Sequence, residues 1–143
     1  NVAANNGVCA DMTRAFAGIW IIWSEDCVMQ YNESYGMGPS NDGQGFDIDN
    51  DCRDTIFQYN YSHDNEGGFI LLCEVAGIGN EEFKGTVVRN NLSVNDGTVK
   101  GEVIAMVGSV RGATFENNTF IVSEKTDRLL EVFSLDGLDQ AKK

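Results

Sequence analysis

The sequence has one proline, one histidine and 10 basic residues against 22 acidic ones, and each shortage removes a class of function. The net charge of −12 repels nucleic-acid phosphates and anionic headgroups, so neither nucleic acid nor a membrane surface is an expected partner. The longest apolar run, residues 15–23, is far short of the roughly 20 residues that span a bilayer. There is no initiator Met and no basic-then-apolar leader, which reads as a processed product or a piece of a larger chain. Cys9, Cys27, Cys52 and Cys73 form no C-x-x-C pair and His63 is alone, so zinc is not expected. The even cysteine count leaves two disulfides and free thiols equally open. No phosphate-binding loop, dinucleotide fingerprint or G-x-S-x-G elbow occurs.

What the chain does have is 42% apolar residues, 8 Phe, 16 Gly and 14 Asn. That is core material for a single domain over residues 1–143, with frequent turns made without proline. A short phrase recurs at Val28–Ser34, Ile56–Ser62, Val87–Ser93 and Thr114–Phe120, with its Asn at Asn32, Asn60, Asn91 and Asn118. A glycine-led apolar phrase alternates with it, beginning at Gly18, Gly45, Gly68 and Gly101, with a last copy at Leu129–Phe133. Two or three short strands in each unit of about 27 residues, without helical periodicity, describe one turn of a solenoid. Turns stacked about 4.8 Å apart pair every strand and give a continuous core. Met29, Phe57, Val88 and Phe115 then form an inward file, and the four asparagines form an amide ladder at the bend. The fold class is therefore all-β, a right-handed parallel β-helix of about four to five turns.

The phrases Gly45–Cys52 and Thr55–Phe69 resemble right-handed parallel β-helix repeat proteins of the pectate-lyase-like superfamily, and the likeness covers about residues 18–135. It implies the fold, and with it a secreted or cell-surface, carbohydrate-active protein acting on a polysaccharide or oligosaccharide. Such enzymes have more turns than this chain, which implies a fragment or a reduced domain. Neither 1–12 nor 140–143 reads as a capping helix. Open strand edges then predict further β-helix turns or self-association.

If Phe46, Ile48, Phe69 and Leu71 point inward, then Asp47, Asp49 and Asp51 share an outward strip between Trp20 and Ile22 on one side and Ile70 and Leu72 on the other. Carboxylates among apolar neighbours have raised pKa values. Asp47 and Asp49 thus suit glycosidase acid/base chemistry, with Trp20 stacking on a sugar. The same three aspartates would also suit Ca²⁺, although an EF-hand is excluded by Cys52 and Gln58 at its sixth and twelfth positions. His63, expected with Asp64 in an exposed loop, is a candidate base or sugar ligand. Asp51, Arg53 and Asp64 are candidate substrate contacts, and Arg53 or Arg89 could face a uronate. The loops 35–44 and 74–85, the latter with Glu81 and Glu82, could wall a groove. The expected function is polysaccharide hydrolysis or cleavage on an outward strand groove, and the alternative is a non-catalytic module that binds carbohydrate or protein.

Overall fold

The computed structural model describes residues 1–7, 15–38, 40–80 and 82–133. The described strands form three sheets whose pairings are all parallel. The first sheet holds β1 (Val2–Ala4), β4 (Glu33–Tyr35), β7 (Tyr61–His63), β10 (Leu92–Val94) and β13 (Thr119–Ile121). The second holds β2 (Ile19–Ile21), β5 (Gln44–Ile48), β8 (Gly68–Glu74), β11 (Glu102–Gly108) and β14 (Arg128–Phe133). The third holds β3 (Val28–Gln30), β6 (Ile56–Gln58), β9 (Val87–Arg89) and β12 (Thr114–Glu116). Each turn visits the third, first and second sheets in that order, giving a β-solenoid of four complete turns, β3–β5 to β12–β14.

The corners explain why such short strands can be stacked. Between the third and first sheets Tyr31, Tyr59, Asn90 and Asn117 take φ of 55, 54, 54 and 52°. Before the third sheet Asp26, Asp54, Gly85 and Gly112 do the same at 54, 51, 71 and 62°. One left-handed residue redirects the chain, and Asn, Asp and Gly tolerate that conformation best. The bend therefore recurs at the same place in successive turns.

The asparagine ladder stands as expected and gains Asn1 at its upper end. Asn32 donates its backbone N–H and its amide to Asn60 Oδ1 at 3.0 and 3.0 Å, Asn60 likewise to Asn91 at 2.9 and 3.1 Å, and Asn91 to Asn118 at 3.0 and 2.9 Å. Asn1 Nδ2 donates to Asn32 Oδ1 at 2.9 Å. The amides of Asn60, Asn91 and Asn118 also donate to the carbonyls of Met29, Phe57 and Val88 in the preceding turn. A shorter polar file follows at the next bend, where Asp96 Oδ1 accepts from the backbone and amide of Asn65 at 3.1 and 2.9 Å.

Met29, Phe57, Val88 and Phe115 lie in register as the inward file of the third sheet. Phe57 meets Phe46 and Phe69 edge-on at centroid distances of 4.9 and 5.7 Å, pairs worth about 0.5–1.5 kcal/mol each beyond their burial. The interior is narrow beside the first sheet: a Cβ on Gly45 would lie 2.7 Å from Ser62 Oγ, so only glycine fits there.

One expectation about the second sheet is corrected. Phe46 pairs with Ile70 and Ile48 with Leu72, so Ile70 and Leu72 face inward and Leu71 faces outward beside Asp47. Phe69 and Ile70 are both core residues because the strand begins at a corner, where two successive side chains can enter the interior before strict alternation starts. Cys27, Cys52 and Cys73 are free thiols, while Cys9, Glu81 and the segments 8–12 and 140–143 lie outside the described residues.

Truncating a central ladder residue leaves several buried groups unpaired. Asn60→Ala strips partners from the Asn32 backbone N–H, the Asn32 amide and the Met29 carbonyl, and is expected to cost about 3 kcal/mol in chemical denaturation. Asn32, Asn60 and Asn91 also begin N-x-Ser sequons. Because their amides are buried in the ladder, mass spectrometry after expression in a glycosylating host should find them unmodified, with exposed Asn117 as the remaining acceptor.

Candidate active site

The outward residues of the second sheet form a shelf, and the two long bends beside it are its walls. Leu71 pairs with Ala105 and Cys73 with Val107, making an apolar floor. Ser40, Asn41 and Asp42 rise on one side, and Asn50, Val75 and Ile78 on the other. The open cleft between them has a volume of about 820 Å³. Its charged lining is Asp42, Asp49, Lys100, Glu102, Arg128 and Glu131. Thus both loops picked out in the sequence do wall a groove.

The expected trio of aspartates separates. Asp47 stands in register between Trp20 and Leu71, as its period-two position requires. It is only 4% exposed, and its Oδ1 is buried with no hydrogen-bond partner. Burial first, and then the charges of Asp49 and Asp42, hold its carboxyl well above the usual carboxylate range. Asp49 follows the end of β5 and lines the cleft, where its Oδ1 accepts the Asn50 backbone N–H at 2.7 Å and the Asn50 side-chain amide. Asp51 is not on this strip. It sits in a left-handed bend with φ of 56°, and its carboxylate accepts the backbone N–H groups of Asn80 at 2.6 Å and Glu82 at 2.9 Å. It organises the wall loop.

That separation removes the geometry a calcium ion would need. Asp51 is bound to backbone amides away from the strip and Asp47 is buried, so three carboxylates do not converge. Among the described residues no cluster of three or more His, Cys, Asp or Glu is placed to hold a metal.

The remaining candidates lie elsewhere. Trp20 is on the shelf, 55% exposed at the turn before Asp47. Arg53 is at a different corner, clamped by Glu25 at 3.1 Å and Glu82 at 2.7 Å, and it lines a smaller recess with Trp23 and Asn80. Arg89 lies on the third sheet, 2.9 Å from Gln58 and 3.9 Å from Glu116. His63 ends β7 on the first sheet instead of occupying a loop, stacked against Tyr35 and Tyr61 at 4.7 and 4.6 Å. Its ring nitrogens meet Asp64 Oδ2 at 2.8 Å and Glu33 Oε1 at 3.3 Å. Burial works to lower the His63 pKa, but the hydrogen bonds to Asp64 and Glu33 outweigh it and raise the value. The structure therefore brings Asp47, Asp49 and Trp20 to one face and places His63 and Asp64 on another.

Asp42, Lys100, Glu102, Arg128 and Glu131 line the cleft and were not singled out in the sequence. Burial raises the pKa of Asp42, opposed by the Lys100 charge and reinforced by Asp49. Burial also raises that of Glu102, again against Lys100. Burial lowers the pKa of Lys100 itself. The available signal was the turn pair Asp42-Gly43, read only as a turn.

No protein-family model matches the chain. It is similar to lacto-N-biosidases. One from Bifidobacterium longum subsp. longum is 33% identical over 113 residues, 76% of this chain and 6% of that protein. The native crystal structure of the GH136 lacto-N-biosidase from Eubacterium ramulus superposes with a TM-score of 0.53 at 27% identity, covering 85% of this chain and 20% of that one. Its selenomethionine derivative gives 0.51 at 25%, covering 82% and 20%. The chain thus spans a fifth or less of the length of these relatives, which are carbohydrate-active glycoside hydrolases.

Asp47 yields a test of the buried charge. Its folded pKa lies above the unfolded value of about 3.9, so its favourable contribution is complete below that pH and is lost as pH rises through the folded value. Asp47→Asn should melt higher than the parent at pH 8 and close to it at pH 4. A variant that melts lower at pH 8 would show the buried charge to be compensated.

Proposed function

We propose that this β-solenoid carries the catalytic shelf of a glycoside hydrolase and that Asp42 and Asp49 are its acid and its base or nucleophile. The observation that carries this reading is that both carboxyls face one cleft and burial holds Asp42 toward its protonated form. A protonated carboxyl gives its proton to the departing glycosidic oxygen, while an ionised one activates water or attacks the anomeric carbon. Asp47, named by the sequence pattern as a catalytic group, is assigned here a supporting role, as a buried carboxyl whose charge state governs the field on its two neighbours. The apolar floor and the exposed indole of Trp20 suit the less polar faces of a sugar.

The substrate in this reading is an oligosaccharide bearing a lacto-N-biose unit, supported by the names of the relatives. Membership of the pectate-lyase-like superfamily belongs to the same reading, supported by three parallel sheets and an asparagine ladder. So does a site of action outside the cell, supported by the size of such glycans. Leu130 and Val132 continue the inward files of β11 yet are 48% and 67% exposed, which suits packing against further turns or another copy.

Release of disaccharide from such an oligosaccharide by the natural chain, compared with Asp42→Asn and Asp49→Asn, tests the assignment. Each variant is expected to lose about 100-fold or more in kcat with substrate binding retained. Binding without turnover by the parent chain would replace the enzyme by the non-catalytic module.

A further inference from the structure

The cleft contains a lysine that spans three turns of the solenoid. The backbone N–H of Lys100 donates to the Glu66 carbonyl at 3.1 Å, anchoring the residue on the neighbouring turn. Its ammonium reaches one turn further and donates to the carbonyl of Asn41, 59 residues earlier in the chain. The loop that carries Asn41 and Asp42 comes this close because residue 67 is a glycine. A Cβ on Gly67 would lie 2.2 Å from the Asp42 carbonyl oxygen and 2.4 Å from the Gly43 carbonyl carbon, so the loop rests directly on Gly67. The Gly67 N–H closes this contact by donating to Gly43 at 2.9 Å. The far side of the loop is tied to the Phe16 carbonyl by Ser40 Oγ at 3.1 Å and the Gly43 N–H at 2.8 Å.

We propose that Lys100 is the positioning residue of the shelf, pinning the loop that carries Asp42 and supplying the positive charge that faces its carboxyl. The inference rests on the assignment of Asp42 as the proton donor. Asp42 is faced by Lys100 from the approach to β11, and by Asp49 and Asp47 from β5 and its end. Lys100 in turn faces Asp42 and Glu102. Arg128, the other cation of the cleft, is engaged by Glu131 and, at 3.5 Å, by Glu102. Without Lys100, Asp42 would meet burial and the Asp49 charge with its facing cation gone, and its proton would bind more tightly. The lysine thus holds the acid at a proton affinity from which it can both donate and be reprotonated.

The test compares Lys100→Met, which removes charge and hydrogen bond, with Lys100→Arg, which keeps both. Carboxyl ¹³C NMR follows the titration of Asp42 in the natural chain and needs no turnover. The midpoint is expected to rise by about one pH unit in Lys100→Met and to return close to the parent value in Lys100→Arg. The alkaline limb of the hydrolysis profile should move with it, and kcat should fall about tenfold in the Met variant alone. An Asp42 midpoint unchanged in a folded Lys100→Met overturns the proposal, whether or not the parent hydrolyses a glycan. If Lys100→Met does not fold, Lys100→Gln takes its place, with the same shift required. A parent chain without hydrolytic activity defeats the glycosidase reading alone, because the titration is read separately.

Discussion

Vertical register is the constraint on which the rest depends. Each described turn pairs with the next in parallel, so a residue's neighbours are set by its equivalents 27 to 31 positions away along the ladder. Two devices hold that register. A left-handed residue at the corners turns the chain in one step, and Asn32, Asn60 and Asn91 each bind the next asparagine with backbone N–H and amide together. Slipping one turn by one residue would break both and turn every inward side chain to solvent.

Because strand lengths and corners are fixed, extra residues are accommodated between them. The two long bends fall on either side of the second sheet's outer face, and that placement makes a cleft from a flat shelf. Precision comes from the sheet and variety from the loops. Asp49 lies just past the end of a strand, Asp42 on a loop, and the loop is held down by partners in two further turns. The site is assembled across turns, so no single repeat contains it.

This explains what could be read from the sequence. The inward file Met29, Phe57, Val88 and Phe115 and the ladder asparagines were legible because they repeat. The outward position of Asp47 followed from alternation within a straight strand. Alternation failed at β8, where the corner admits Phe69 and Ile70 in succession and reverses the faces that follow. It failed again at Asp51, beyond the strand end, where a left-handed bend replaces the extended chain. Asp42 and Lys100 belong to neither recurring phrase, and the close backbone contacts beside them, Asp42 on Gly67 and Glu102 on Gly68, are not expressed by sequence spacing.

The buried acids divide by what surrounds them. Asp96 accepts from Asn65 and, at 2.7 Å, from Ser93 Oγ; Asp51 accepts two backbone N–H groups; Glu74 Oε2 accepts those of Asp51 and Phe83, at 2.9 Å each. These donors replace water at the oxygens they reach, although Glu74 Oε1 is itself buried without a partner, and the three groups serve as corner and loop supports. Asp47 receives no such replacement at Oδ1, although it is as deeply buried and lies beside two further acids. Burying a carboxyl without donors weakens a fold, and an alternating strand has no need of an acid at that position. The uncompensated desolvation falls beside Asp42 and Asp49, whose charges act on Asp47. Under the proposed reading, that cost in stability belongs to the cleft in which Asp42 and Asp49 act.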